Sequence, residues 1–174
     1  MSMKIKRLQP LPPDQWPAEL AGIKQRLGSP LNIHSTMAHN AALVAAWMPY
    51  RYHIVRDSSL EPRHRELLIL RTAVNCDASY EWDHHVVRGR EAGLTDEEIE
   101  RAKDGPDAPG WSPAEAALLA AADECKRDAK LSDDTYRALT EHFDDKQLLD
   151  LISTVGVYLT IAVMVNSFDV PLEK

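Results

Sequence analysis

Only two cysteines, Cys76 and Cys125, occur in 174 residues, too few for a disulfide framework or a zinc site of four thiolates. Two isolated thiols fit a reducing compartment. Glycine is also scarce: seven residues, none forming GxGxxG, a Walker loop or a GxSxG elbow, so nucleotide chemistry and the hydrolase elbow have no support. No positive excess exists either. Lys+Arg 20 minus Asp+Glu 27 leaves −7, which repels a phosphate backbone and argues against nonspecific nucleic-acid binding. The opening MSMKIKRLQP reaches a proline before any apolar run, so no secretory signal is expected and the chain reads as cytoplasmic. One long uncharged run, Leu151–Phe168, has 18 residues, the lower edge of spanning length. Ser153, Thr154, Thr160, Asn166 and Ser167 interrupt it, and no Lys/Arg cluster orients it. It reads as a buried helix, with no membrane partner.

What the chain does contain is helical punctuation. Of 11 prolines, six fall before residue 50, and none lies between Arg63 and Gly105 or between Ala114 and Val170; proline breaks helix interiors, so these are the helical blocks. Capping boxes mark starts within them: Thr95 with Glu98, Ser112 with Glu115 and Pro113 at N1, and Asp144 with Gln147. Ser132 opens a shorter helix to about His142. Arg63–Asn75 reads as a helix with Leu67, Leu70, Ala73 and Val74 at core spacings. The next runs from a cap at Asp77 or Ser79 to Ala92, before Gly93. Pro17–Leu27 and Ser35–Met48 complete the set, Pro49 ending or kinking the latter. The expected class is all-α, with about seven or eight helices in one domain over 1–174, residues 1–34 forming an N-terminal extension.

The densest polar cluster is Cys76–Arg88 (CDASYEWDHHVVR). On a helix Glu81, His85 and Arg88 fall at i, i+4 and i+7, one face carrying carboxylate, imidazole and guanidinium. A histidine with a pKa near ~6.5 exchanges protons at neutral pH, and Glu81 could orient it; a solvated ion pair is the alternative meaning of the triplet. Glu66 lies among Leu67, Leu68, Ile69 and Leu70, where a buried carboxylate needs a partner. A short connection would make the two helices antiparallel and let Glu66 face His85. Glu66, Glu81, His84 and His85 include ligand types for zinc or iron; adjacent histidines diverge on a helix, so no metal is expected. His39 reads as a packing or hydrogen-bonded histidine, and His53 and His64 as solvated. Trp47, Met48, Tyr50 and Tyr52 read as core or as a pocket wall.

The stretch RHRELLILRTAVNCDASYEWDHHVVRGREAGLTDEEIERA, with the later IAVMVNSFDVPLE, resembles the carboxymuconolactone decarboxylase and AhpD-like superfamily. Its marks are a Glu in the "rEl.iL" helix, a segment ending in His, and an "aGLt.eEi" turn. The resemblance covers a core of residues 60–172. It implies an AhpD-like helical bundle assembling as trimers or hexamers. The peroxidase branch carries CxxC, then three intervening residues, then the His; aligning Glu66 and His85 puts Ala78 and Glu81 where those thiols would stand, so disulfide cycling does not transfer.

By resemblance, then, the chain is expected to be a cofactor-independent lyase of aromatic-compound catabolism. It would remove carbon dioxide from a small unsaturated lactone acid, with His85 as proton donor, Glu66 or Glu81 setting its protonation, Tyr80 and Trp82 at the pocket entrance, and Arg88 or Arg71 anchoring an acid group. Two alternatives stay open: a divergent alkylhydroperoxidase-like antioxidant protein using Cys76, and a non-catalytic helical oligomer that binds a small molecule.

Overall fold

The computed structural model describes residues 5–173, which are helices and connecting turns, and no strand forms among them. The helices are α1 (Ala21–Leu27), α2 (Asn32–Met37), α3 (Ala41–Tyr52), α4 (Pro62–Asn75), α5 (Ser79–Glu91), α6 (Asp96–Arg101), α7 (Pro113–Asp128), α8 (Asp133–Thr140) and α9 (Asp145–Phe168). The expected all-α class forms, with one helix more than the upper expectation. The extra helix comes from a division: Ser35–Met48 is not continuous. Asn40 accepts from the Leu43 amide at 3.0 Å and restarts the chain as α3. Pro49 does not end α3 but sits inside it, and a π-helical turn at His53–Asp57 follows. The expected Pro17–Leu27 helix is 3₁₀ at Ala18–Leu20 before α1 begins.

All three capping boxes form, at Thr95, Ser112 and Asp144, and Ser132 caps α8. At α5 neither Asp77 nor Ser79 caps; the N-cap is Ala78. Asp77 adopts φ 50°, a left-handed conformation that aspartate tolerates better than most residues. The Asp77 and Ala78 amides close back onto Val74 and Ala73 carbonyls. That tight reversal makes α4 and α5 antiparallel neighbours.

Helix α4 is the centre, packing on α5, α7 and α9. Its consecutive residues Leu67, Leu68, Ile69 and Leu70 are each at most 1% exposed, so the helix is buried on all sides rather than along one stripe. Ile69 joins the core under α2, α3 and α9, Leu68 the core with α7 and α8, and Leu67 and Leu70 the core under α6. At ~1.5–3 kcal/mol per buried aliphatic side chain, α4 ties three clusters together.

Helix α9 is long and apolar enough to cross a membrane, yet much of it lies inside the protein, with Leu151, Val155, Tyr158, Ile161 and Val165 in the core. Its second turn is fixed by Asp150, which accepts from Ser59 N, Ser59 Oγ and His53 Nε2, each at 2.6 Å. Those three bonds outweigh burial and hold its pKa down to about 2. His53 is therefore hydrogen-bonded to Asp150 rather than simply solvated. Arg63 joins two helix starts: its guanidinium binds Glu98 and Glu115, the N3 acids of the α6 and α7 capping boxes.

Candidate active site

The α4–α5 hairpin brings Glu66 and His85 together. Both are buried, at 4% and 1% exposure, and His85 Nδ1 lies 2.6 Å from Glu66 Oε2. Arg88 Nη1 lies 3.1 Å from His85 Nε2. A guanidinium has only donors, so Nε2 must offer its lone pair and the ring proton sits on Nδ1, donated to Glu66. Burial lowers the His85 pKa, the Glu66 bond pulls it up, and the nearby Arg88 charge lowers it again. The outcome is a neutral imidazole whose basic nitrogen points toward Arg88. Burial alone would raise Glu66, but the His85 bond and the charges of Arg65 and Arg88 hold it below the usual carboxylate range.

Glu81 completes the α5 face one turn earlier. It is 6% exposed, with Oε2 3.7 Å from His85 Nε2. Burial pushes its pKa up to about 7, opposed by the charges of His84, Arg88 and Arg51. A solvated ion pair is therefore not what the triplet forms: a neutral base stands beside a carboxyl group that holds its proton near neutrality. Tyr158 of α9 sets its ring edge-on to His85, centroids 4.9 Å apart, and fixes the imidazole plane.

A cavity of about 550 Å³ opens beside this group, with Arg51, Arg65, Arg88, Glu66, His34 and Tyr158 in its walls. A small neighbouring void lies against Glu81, His84, His85, Arg51 and Arg88. Arg51, from α3 after Pro49, and His34, from α2, carry no local sequence signal for such a role. His34 is 5% exposed and burial lowers its pKa to about 3. Its Nδ1 accepts from the Leu31 amide at 3.0 Å, which leaves the proton on Nε2.

The remaining expected residues divide. Tyr80 walls the small void, but its hydroxyl donates to Glu173 Oε1 at 2.7 Å and accepts from the Ile33 amide at 3.3 Å. His84 turns away and binds Glu173 Oε2 at 2.7 Å, so the C-terminal tail straps the start of α5. Trp82 does not stand at the cavity: it packs toward Leu67, Leu70 and α6, with Lys103 Nζ 4.6 Å from its ring centroid. Arg71 is not brought there either. It binds Asp123 at 2.5 and 2.8 Å and the carbonyls of Ala102 and Lys103, tying α4 to α7 and the end of α6. Neither cysteine lines these cavities, and burial raises both thiol pKa values, against an activated thiolate. Among the described residues no three His, Cys, Asp or Glu side chains converge as a metal set.

The sequence model of the Carboxymuconolactone decarboxylase family matches residues 41–124. No curated protein matches the chain. Similar solved structures include an uncharacterized peroxidase-related protein from Silicibacter sp. TM1040, with TM-score 0.80 and 16% identity, covering 99% of this chain and 95% of that one. The debrominase Bmp8, solved with 2,3,4-tribromopyrrole, gives TM-score 0.79 and 18% identity over 99% of this chain and 94% of its own. An alkylhydroperoxidase AhpD core, an uncharacterized peroxidase-related protein from Ralstonia eutropha JMP134, gives 0.77 and 18% over 98% and 95%. At these identities the likeness is one of fold, which is AhpD-like.

Proposed function

We propose that this chain, whose residues 41–124 match the model of the Carboxymuconolactone decarboxylase family, is a cofactor-independent lyase acting on a small unsaturated lactone or carboxylic acid. The observation that carries the reading is the buried Glu66–His85 pair, with Glu81 at 3.7 Å from the unprotonated imidazole nitrogen, beside a cavity walled by arginines. Such a cavity lets a negatively charged chain hold an anionic substrate. The tribromopyrrole bound to the debrominase of this fold supports a small ring compound as the occupant.

The chemistry needs no group beyond the substrate and these side chains. The bond from the substrate carbon to its carboxylate breaks, carbon dioxide leaves, and the electron pair moves into the conjugated lactone carbonyl as a dienolate. A proton must then reach carbon. Glu81 holds that proton next to Nε2; His85 takes it and passes it on, its charged form steadied by Glu66 at Nδ1. Glu81 recovers a proton from water. His85 is thus a relay that starts as a base, rather than a donor already protonated at rest.

A panel of unsaturated lactone acids assayed for carbon dioxide release tests the reading. Turnover by the native chain and its loss in His85→Gln is the expected pair of results; binding without turnover in the native chain would leave a binding protein. The same reading takes a homo-oligomer as the working form: Leu149, Ile152 and Val163 form an exposed apolar stripe on α9, at 71%, 42% and 62% exposure. Light scattering of Ile152→Lys against the native chain checks it, a drop in mass being expected.

A further inference from the structure

Five arginines, Arg26, Arg51, Arg56, Arg65 and Arg88, wall one cavity whose lining carboxylates are Glu66 and Glu91. Glu66 is already taken by His85 and Arg65. Arg51 and Arg88 are the two that line both this cavity and the void against His85. Among the described residues neither makes an ion pair with a carboxylate. Arg51 is partly buried and faces Tyr158, Arg88, Glu81 and Tyr52, and its burial and the Arg88 charge both disfavour its own. Arg88 spends a donor on a neutral imidazole nitrogen at 3.1 Å, a weaker acceptor than any carboxylate. Two neighbouring cations with no carboxylate in direct contact are a costly arrangement that a bound anion would relieve. His34 adds an Nε2 proton on the same walls.

We infer that Arg51 and Arg88 form a carboxylate subsite whose occupation draws Arg88 off His85 Nε2, so that the substrate's own anionic group uncovers the base. At rest Arg88 caps the lone pair that the reaction requires. A carboxylate between the two guanidinium groups accepts the Arg88 N–H in place of the imidazole, and Nε2 is then open to Glu81 and to substrate. Arg88 is accordingly a positioning residue for His85 as well as an anchor, and Arg51 sets affinity without touching the imidazole. The consequence for turnover rests on the lyase reading above; the subsite and the uncapping do not.

The test uses the full chain labelled with ¹⁵N in its histidine rings, titrated with succinate at constant ionic strength and one neutral pH, with His85 assigned from His85→Gln. Native protein is expected to show a saturable movement of the His85 Nε2 resonance toward the position of an unbonded lone pair. Arg51→Met should leave the ligand-free His85 resonance in place and weaken succinate by at least about tenfold, the loss of a charged hydrogen-bonding partner. Arg88→Met, or Arg88→Gln where the first does not fold, should show the uncapped resonance before succinate is added. A His85 resonance that stays still while succinate saturates, or an Arg51→Met titration identical to native, overturns the inference. Succinate that moves His85 in a chain releasing no carbon dioxide from the lactone panel would sink the lyase reading alone.

Discussion

Glu66 Oε2 receives the Nδ1 proton of His85 across 2.6 Å, between two helices and out of water. This contact selects the ring tautomer: it forces the basic electron pair onto Nε2, the side where Arg88 and Glu81 stand. Glu66→Gln keeps an acceptor for Nδ1 but removes the charge that steadies an imidazolium. The expected result is a chain that folds and binds anions normally while turnover falls by about 10²–10⁴-fold, the range for a lost acid–base contribution. Single-turnover rates for Glu66→Gln, His85→Gln and the double variant check this, the double being no slower than His85→Gln.

Turnover should fall on the alkaline side. Glu81 must hold its proton, and burial sets its pKa to about 7; above that value the rate drops toward tenfold per pH unit. Glu81→Gln should lower the rate throughout and erase this limb. A pH profile of carbon dioxide release for both chains decides it, and an unchanged limb in the variant would assign the limb to another group.

Stability carries opposite slopes from the same site. His34 has a folded pKa lowered to about 3 against ~6.5 when unfolded, so the unfolded state binds more protons between those values. Its contribution is present above the unfolded value and is lost as pH falls toward the folded one, at up to ~1.4 kcal/mol per pH unit. His85 acts in the same direction. Glu81, raised to about 7, stabilises below its unfolded pKa and loses that contribution as pH rises through its folded one. In urea midpoints between pH about 6 and 4.5, His34→Asn should flatten the acid loss and Glu81→Gln should steepen it.

Arg71→Met is expected to lower stability by about 2–4 kcal/mol, because Asp123 and Asn75 would be left around a partly buried unpaired charge. Succinate affinity should stay native. Chemical denaturation together with the succinate titration separates the two effects, and a weakened anion affinity at native stability would return Arg71 to the site.

Legibility followed the range of the signal. Thr95–Glu98, Ser112–Glu115 and Asp144–Gln147 each satisfy amides within one turn, and all three form as read. Glu81, His85 and Arg88 were legible because one helix fixes their spacing, and Glu66 because a short reversal joins α4 to α5. His34 and Arg51 were not, since their arrival depends on how α2 and α3 pack over α9. Arg71 and Trp82 face away by helix geometry: Arg71 is five residues from Glu66, about 140° around α4, and Trp82 one residue from Glu81, about 100° around α5. The split of Ser35–Met48 at Asn40 was a cap signal hidden by the alanine-rich run around it.

Glu173 reaches Tyr80 and His84 at 2.7 Å each and the Asn32 amide at 2.5 Å. A cut between Val170 and Glu173 would therefore loosen the opening turn of α5 that carries Glu81, some ninety residues away along the chain.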